Sequence, residues 1–457
     1  MSEGAAKGFG EKPQPRQEER RKFQAIKGTR DLLPPETALW NRVEQIAQEV
    51  FASYGFGETR LPIFEATDLF ARSIGLETDV VSKEMYTFED RDETSVSLRP
   101  EATASVCRAY IENGMQQLPQ PVKLYTIGPM FRRERPQKGR YRQFQQIDAE
   151  VLGGSDAPGV DAELIEMVMT FFERLSLEGV QLDINCIGDK KCRPKYVELL
   201  RAELRRGKDK LGPDSQRRIE TNPLRVLDSK VESEQKLIEG MPHIADHLCE
   251  ECAENYRGVK KELELRGVKY RENWRLVRGL DYYSRTTFEL TAKGLGSQNA
   301  VCGGGRYDGL MELLGGPPTR ATGFAIGEDR LILSLQEQAK NRAAASGERR
   351  VASATVGRDV YIAWMGEKAY ATAVRAAKNL RAAGFSVELP PVEQKFGKAL
   401  GQADKLGARQ ALILGDNEVA SGEWTLKTLS TGEQQNLGEP EVVNFLKSEK
   451  AKEKARV

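Results

Sequence analysis

The sequence predicts an α+β protein, in which a mainly antiparallel sheet is interrupted by a helical module and followed by a small α/β domain. Strand-like segments at 122–134, 141–152, 274–283, 286–292 and 321–327 outnumber the helices that could join them as parallel crossovers. From Asp189 to about Gly267 the chain becomes helix-rich and highly charged, with ELLRAELRRGKDK and KKELELRG and few strand signals. Beyond Asp359 strand and helix patterns alternate. A chain of 457 residues has room for about three such bodies.

Taken in order, residues 1–22 carry Glu3, Glu11, Glu18 and Glu19 among basic residues without an apolar run, and read as a disordered tail rather than a leader peptide. Pro34-Pro35 then opens a helix with Leu39, Val43, Ile46 and Val50 at helical spacing. Glu58 to Phe64 reads as a strand whose Pro62 belongs at an edge or bulge, a surface suited to a second chain. A first body is expected at 23–188 and 268–339, with the helical insertion at 189–267. The Ala/Ser/Arg/Gly-rich stretch 340–358 reads as a linker. The α/β domain, 359–447, is expected to place strands at 360–364, 386–389 and 411–414 around helices at 370–383 and 395–406, before a charged tail at 448–457.

Composition narrows the chemistry. Only two histidines, His243 and His247, are present, four residues apart. A serine hydrolase triad or a histidine general base would have to use this one spot, and a three-histidine metal site lacks its ligands, so most hydrolase and histidine-ligated metal chemistries lose weight. Six scattered cysteines are too few for a disulfide framework and suit a reducing compartment, so a cytoplasmic location is expected. No apolar stretch approaches the roughly 18 residues of a membrane helix, and no membrane partner is expected. The net charge of +1 neither announces nor forbids nucleic acid.

Four motifs carry chemistry. In Phe131 to Glu150, six basic side chains fall between Arg132 and Arg142 around a Pro and a Gly, a loop between strands suited to phosphate. Alternation then puts Phe144, Gln146, Asp148 and Glu150 on one face, an aromatic, an amide and two carboxylates that resemble a pocket lining. In LVRGLDYYSRTTFEL, Arg278 sits in an apolar setting and needs an anion, either a structural acid such as Asp281 or a phosphate. CGGGRYDGL, from Cys302, permits close backbone approach but lacks the Lys-Ser/Thr of a P-loop. GLGSQN at 294–299 falls short of a dinucleotide fingerprint. GFAIGEDRLILSL reads as strand, turn and helix with Arg330 in the first turn, where anions bind.

In this order the motifs resemble those of the histidyl-tRNA synthetases, a family of class II aminoacyl-tRNA synthetases. IKGTRDLLPPE resembles the family's N-terminal signature, YGFGETRLPIFE its motif 1 with Pro62 at a dimer interface, and Phe131 to Glu150 its motif 2. LVRGLDYYSR and GGGRYDG are similar to its two histidine-specific motifs, and GFAIGEDRL to motif 3. The resemblance implies a class II antiparallel catalytic domain with a C-terminal α/β anticodon-binding domain, acting on ATP with Mg2+, L-histidine and tRNA(His) as a homodimer. It implies that Arg132 and Arg278 are catalytic, and that Arg132, Glu134, Phe144 and Arg330 hold ATP. Glu101, Thr103, Gln146, Glu150, Arg278, Tyr282, Tyr283 and Tyr307 would hold histidine; Arg135, Gln137, Lys138 and Arg140 would meet the tRNA acceptor end. Gln145 stands where the family commonly has His, and Asp148 where a small residue is frequent.

Two other readings are weighed. A non-catalytic regulatory paralogue of ATP phosphoribosyltransferase would not need Arg132, Glu150, Arg278 and Arg330, and usually lacks the C-terminal domain. An RNA-binding module that keeps only the fold would leave the arginines idle. His243, His247, Cys249 and Cys252 look at first like zinc ligands, but MPHIADHLCEECAENY reads as one helix, which cannot gather all four, so no protein-held metal is expected.

Overall fold

The computed structural model describes residues 23–75, 78–293, 299–346 and 358–454. The expected tail at 1–22, GLGSQN up to Gln298, and 347–357 of the expected linker lie outside them. The chain divides into two compact units, one comprising 55–168 and 180–333 with the segment up to Asp31, the other 32–54, 169–179 and the chain from Ser334.

The first unit is built on an eight-stranded sheet in the order Gly57–Glu58, Val122–Phe131, Gln143–Leu152, Ala321–Gly327, Ala300–Arg306, Ser284–Thr291, Gln181–Cys186, Arg271–Glu272. The six inner strands are antiparallel, and only the two short edge strands pair in parallel. Val122–Phe131 and Gln143–Leu152 pair from Val122↔Leu152 to Phe131↔Gln143. The helix Thr103–Glu112 packs Val106, Cys107 and Tyr110 against Leu152, Tyr307, Leu310 and Met311. A charge pair ties the sheet to the helix Pro158–Arg174: Arg306 at the end of Ala300–Arg306 and Asp161 in the helix's first turn, both almost wholly buried, meet through two hydrogen bonds of 2.9 and 3.2 Å, with Asp308 at 3.4 Å.

Two strand expectations are corrected, and one strand is added. Glu58 to Phe64 is not one strand: Gly57–Glu58 joins the large sheet and Phe64–Ala66 a three-stranded sheet with Ser95–Leu98 and Tyr86–Glu89. Between them the carbonyls of Leu61 and Pro62 are taken by the Arg99 guanidinium, which no ladder allows. Trp274 to Tyr283 is irregular, because the Asn185 side-chain amide donates to the carbonyls of Trp274 and Leu276 in place of a neighbouring strand. Conversely, the glycine run is itself part of a strand, Ala300–Arg306.

Between Arg193 and Leu265 lie five helices, whose core gathers Tyr196, Leu200, Leu204, Val226 and Ile238 with Val277 and Tyr283 from beyond the module. The expected single helix over MPHIADHLCEECAENY is also corrected. A short 3-10 turn, Ile244–His247, ends at the extended Leu248, and a new helix, Glu250–Leu265, starts after Cys249. Glu250 and Glu251 in its first turn favour that start.

In the second unit the helix Glu36–Ser53 buries Trp40, Val43, Ala47 and Val50, with Leu39 and Ile46 beside this stripe. The helix Glu328–Ser346 runs through the first residues of the expected linker. A five-stranded sheet follows in the order Val387–Glu388, Val360–Trp364, Gln410–Leu414, Trp424–Thr428, Gln434–Leu437; the first three are parallel and the last two antiparallel. Ala373, Ala376 and Ala377 bring the helix Glu367–Ala382 close to Ile362, Leu412 and Leu426. Gln434–Leu437 escaped periodicity because QQNL has no apolar alternation, whereas Trp424–Thr428 does alternate, burying Trp424 and Leu426, and was missed.

Replacing Arg306 by Ala leaves Asp161 buried without its partner, a change worth about 3–5 kcal/mol. A shift of the denaturant midpoint in that direction, with an unchanged slope, is the expected result.

Candidate functional site

In the first unit a cavity of about 560 Å³ is lined by eight basic and five acidic side chains. Arg132, Glu134 and Arg140 come to it from the motif 2 loop, Phe144 and Gln146 from the following strand, and Glu101 and Thr103 from the start of a helix. Arg278, Tyr282 and Tyr283 enter from the irregular segment, and Arg330 from the first turn of Glu328–Ser346. Stretches far apart in sequence thus meet because the antiparallel order places Ala321–Gly327 between Gln143–Leu152 and Ala300–Arg306.

Arg278 is fixed by its surroundings. Its Nη1 donates to Glu289 Oε2 at 3.1 Å, its guanidinium stands 5.7 Å from the Tyr283 ring centre, and its buried Nε has no hydrogen-bond partner. The structural acid is therefore Glu289, not Asp281, which accepts from Asn222. A Cβ at Gly303 would stand 2.0 Å from Arg278 Nη2, so this glycine makes room for a guanidinium. Gly304 is instead packed against Gly323 O and Phe288, and Gly305 against Thr286 O.

Arg132 donates through Nε to Pro100 O at 2.9 Å and lies 5.3 Å from the Phe144 ring centre, a cation over an aromatic face. Arg330 donates to Ala300 O at 3.0 Å, and burial lowers its pKa, with Arg140 and Arg132 adding to the effect. The N-terminal signature supports the same wall: Arg30 pairs with Asp329 at 3.0 Å, and Asp329 also accepts from Gln145 N at 2.9 Å.

Glu101 accepts from Thr103 N at 2.8 Å and Ala104 N at 2.9 Å, while Tyr282 OH donates to it at 3.4 Å. The Gln146 Oε1 atom is buried with no hydrogen-bond partner beside the cavity. Glu150 and Tyr307 lie beneath the lining, where Thr103 and Tyr307 hydroxyls donate to Glu150 at 2.6 and 2.5 Å. A Cβ at Gly323 would overlap that carboxylate. Asp148, on the same strand face, is buried; neither oxygen has a hydrogen-bond partner. Arg135, Gln137 and Lys138 are exposed on the loop, away from the cavity lining.

Arg217, Arg218 and Arg225 also line the cavity, from the helix Pro213–Thr221 and the turn after it. Sequence reading missed them, and Glu289 too. The residue types give no distinguishing signal, since RR on a charged helix reads as a solvated face.

An antiparallel sheet whose loops and adjoining helices bring arginines to a nucleotide-sized cavity, ahead of a separate α/β domain, agrees with the class II aminoacyl-tRNA synthetase that the motifs resemble. Comparison with known proteins narrows the class. The histidyl-tRNA synthetase family profile matches residues 28–188 and 203–331, and an anticodon-binding domain profile matches 359–449. A histidine–tRNA ligase of Solibacter usitatus (strain Ellin6076) is 53% identical over 421 residues, 92% of this chain and 98% of that protein. One of Koribacter versatilis (strain Ellin345) is 49% identical over 440 residues, 94% and 97% of the two chains. The apo histidyl-tRNA synthetase of S. aureus superimposes with a TM-score of 0.75 at 37% identity, covering 93% of this chain and all of that one. The chain belongs to the histidyl-tRNA synthetase family.

The carboxyl group of Glu150 is pushed up to about 8 by burial, against the pull of the Thr103 and Tyr307 hydroxyls. Burial, with Glu150 and Glu101 nearby, holds Asp148 well above the carboxylate range. A carboxyl raised on folding above its ordinary value of about 4.3 contributes stability that is complete below that pH and is lost as pH rises through the folded value. The expected outcome is a melting temperature that declines from about pH 5 to 8, with a flatter decline in Glu150→Gln. An identical slope in the two proteins would count against Glu150 as a source.

Proposed function

We propose that the chain activates L-histidine with ATP and passes the histidyl group to tRNA(His), acting as a histidine–tRNA ligase. A histidine carboxylate oxygen attacks the α-phosphorus, pyrophosphate leaves, and a terminal ribose hydroxyl of the tRNA then attacks the adenylate carbonyl with loss of AMP. The observation that carries the reading is the Arg278 guanidinium, seated in the gap of Gly303 with an unpartnered Nε in a cavity shared with Arg132 and Arg330.

In this proposal Arg132 and Arg278 stabilise the charge that grows on the α-phosphate, Phe144 stacks on adenine, and Glu134 and Arg330 hold the remainder of ATP. Glu101 and Gln146 receive the substrate ammonium, supported by Thr103 and Tyr282. Tyr283 meets the imidazole, and Glu150 acts on it through the Thr103 and Tyr307 hydroxyls it holds. Mg2+ arrives with ATP: Mg2+ in such sites uses one or two carboxylates with substrate phosphates. Glu134 and Glu289, both in the cavity lining, would be the carboxylates that hold it. The exposed Ile63, Phe64 and Phe88 support a homodimer, and a cytoplasmic setting fits a chain in which no described helix is long and apolar enough to cross a membrane.

Histidine-dependent exchange of pyrophosphate into ATP tests the function. The rate should fall roughly 100-fold or more in Arg278→Ala, and nearly as far in Arg278→Lys, since an ammonium cannot span carboxylate and phosphate together. Wild-type exchange in the lysine variant would remove Arg278 from the chemistry.

Arg135 and Lys138 are exposed on the motif 2 loop, which supports a role in tRNA contact. Arg135→Ala with Lys138→Ala should leave exchange unchanged, raise the KM for tRNA and flatten its salt dependence, because phosphate contacts release counterions. A KM that stays constant across salt concentrations in both proteins would refute this contact.

A further inference from the structure

Asp189, Cys192, Cys249 and Cys252 converge at one end of the helical module, one donor atom from each lying within 4.8 Å of all the others. They form two pairs of equal spacing, Asp189-Lys190-Lys191-Cys192 and Cys249-Glu250-Glu251-Cys252. Neither histidine belongs to the group: His243 stacks on Trp274 with ring centres 4.0 Å apart, and His247 lies 5.8 Å from the Tyr196 ring.

We propose that these four side chains form a tetrahedral zinc site with three thiolates and one carboxylate, which braces the wall of the histidine cavity. Zinc bonds of about 2.3 Å to sulfur and 2.1 Å to oxygen give tetrahedral edges of about 3.8 Å between sulfurs and 3.6 Å between sulfur and oxygen. The observed separations are 3.9 Å for Cys192 Sγ to Cys252 Sγ, 3.6 Å for Cys192 Sγ to Asp189 Oδ1, and 3.9 Å for Cys249 Sγ to Asp189 Oδ1. A Cys192–Cys252 disulfide would need the sulfurs to close to about 2.05 Å, and would leave Cys249 and Asp189 without a role.

The backbone is shaped for the same end. Gly188 adopts a φ of +68°, and a Cβ there would stand 2.8 Å from Cys192 Sγ. The Asp189 amide points at Cys192 Sγ at 3.5 Å, and the Lys191 amide holds Asp189 Oδ1 at 2.9 Å. Cys249 immediately precedes the helix Glu250–Leu265 and Cys252 sits in its first turn, so one helix start brings both sulfurs to the cluster. Zinc with this donor set carries a net charge of −2, and Arg285 Nη2 stands 3.9 Å from Asp189 Oδ2 as a counter-charge.

The site would act on the cavity by positioning. Arg193, next to Cys192, donates to the Tyr283 carbonyl, and Arg285 exchanges backbone hydrogen bonds of 2.8 Å with Gly188 and Ile187. The ion would thus pin the first and last helices of the module to the segment that carries Tyr282 and Tyr283.

The full chain, purified under reducing conditions from zinc-supplemented medium, should contain about one zinc per chain by elemental analysis. Cobalt exchanged into it should show the thiolate charge-transfer and ligand-field bands of a tetrahedral centre. Cys249→Ser with Cys252→Ser should lose the metal and weaken histidine binding while the KM for ATP changes little. Should that variant fail to fold, the cobalt spectrum of the unaltered chain decides. Zinc below about 0.1 equivalent without cobalt bands, a Cys192–Cys252 disulfide found by mass in the reduced preparation, or undiminished zinc in the folded double variant would each overturn the site. Exchange activity and histidine binding that persist unchanged without zinc would leave the ligase reading intact and overturn the bracing role of the ion.

Discussion

The catalytic unit depends on keeping charged groups inside a protein wall without losing their charge. Arg278 is the centre of this constraint: it needs an acid, an aromatic face and a space that only a glycine leaves open. Each requirement falls on a different stretch, Glu289 on one strand, Gly303 on the next, and Tyr283 on the segment before them. An antiparallel order that sets Ser284–Thr291 beside Ala300–Arg306 is what brings them together.

The carboxyl groups in and below the cavity wall meet the same burial with the opposite outcome, since it disfavours their charged forms. Glu101, Asp148 and Glu150 are buried close together, and burial raises all three. Backbone amides at the helix start bind Glu101, and two hydroxyls bind Glu150. Asp148 receives no such bond, and the nearest positive influence on it comes from Arg99, whose guanidinium is spent on carbonyls of Leu61 and Pro129. A floor of this kind is costly to build, and because burial raises its carboxyls it offers hydrogen-bonding groups more than negative charge beneath a mainly basic rim suited to a triphosphate.

The helical module contributes to both ends of this arrangement. Through Arg217, Arg218 and Arg225 it adds positive charge to the rim, and through Arg193 it holds the Tyr283 backbone. Its own core is continuous with Val277 and Tyr283, so movement of the module and of the tyrosine segment is mechanically linked.

Much of this was legible from residue order alone. Alternation along Phe144, Gln146, Asp148 and Glu150 determined a shared face, and the strand-turn-helix of GFAIGEDRL determined where Arg330 would stand, because side-chain direction in a strand and at a helix start is a local property. Local pattern also marked the helical character of 193–265 and the alternating elements after Val360. What it could not determine was which distant groups would meet. Glu289 replaced Asp281 as the partner of Arg278, Glu150 went beneath the lining, and Cys192 and Asp189 joined Cys249 and Cys252 in place of the histidines. Trp274 to Tyr283 had the composition of a strand but lost its ladder to the Asn185 side chain. In each case the deciding contact is between residues distant in the chain, and its free energy depends on burial and hydrogen-bond geometry that exist only once the sheet has closed.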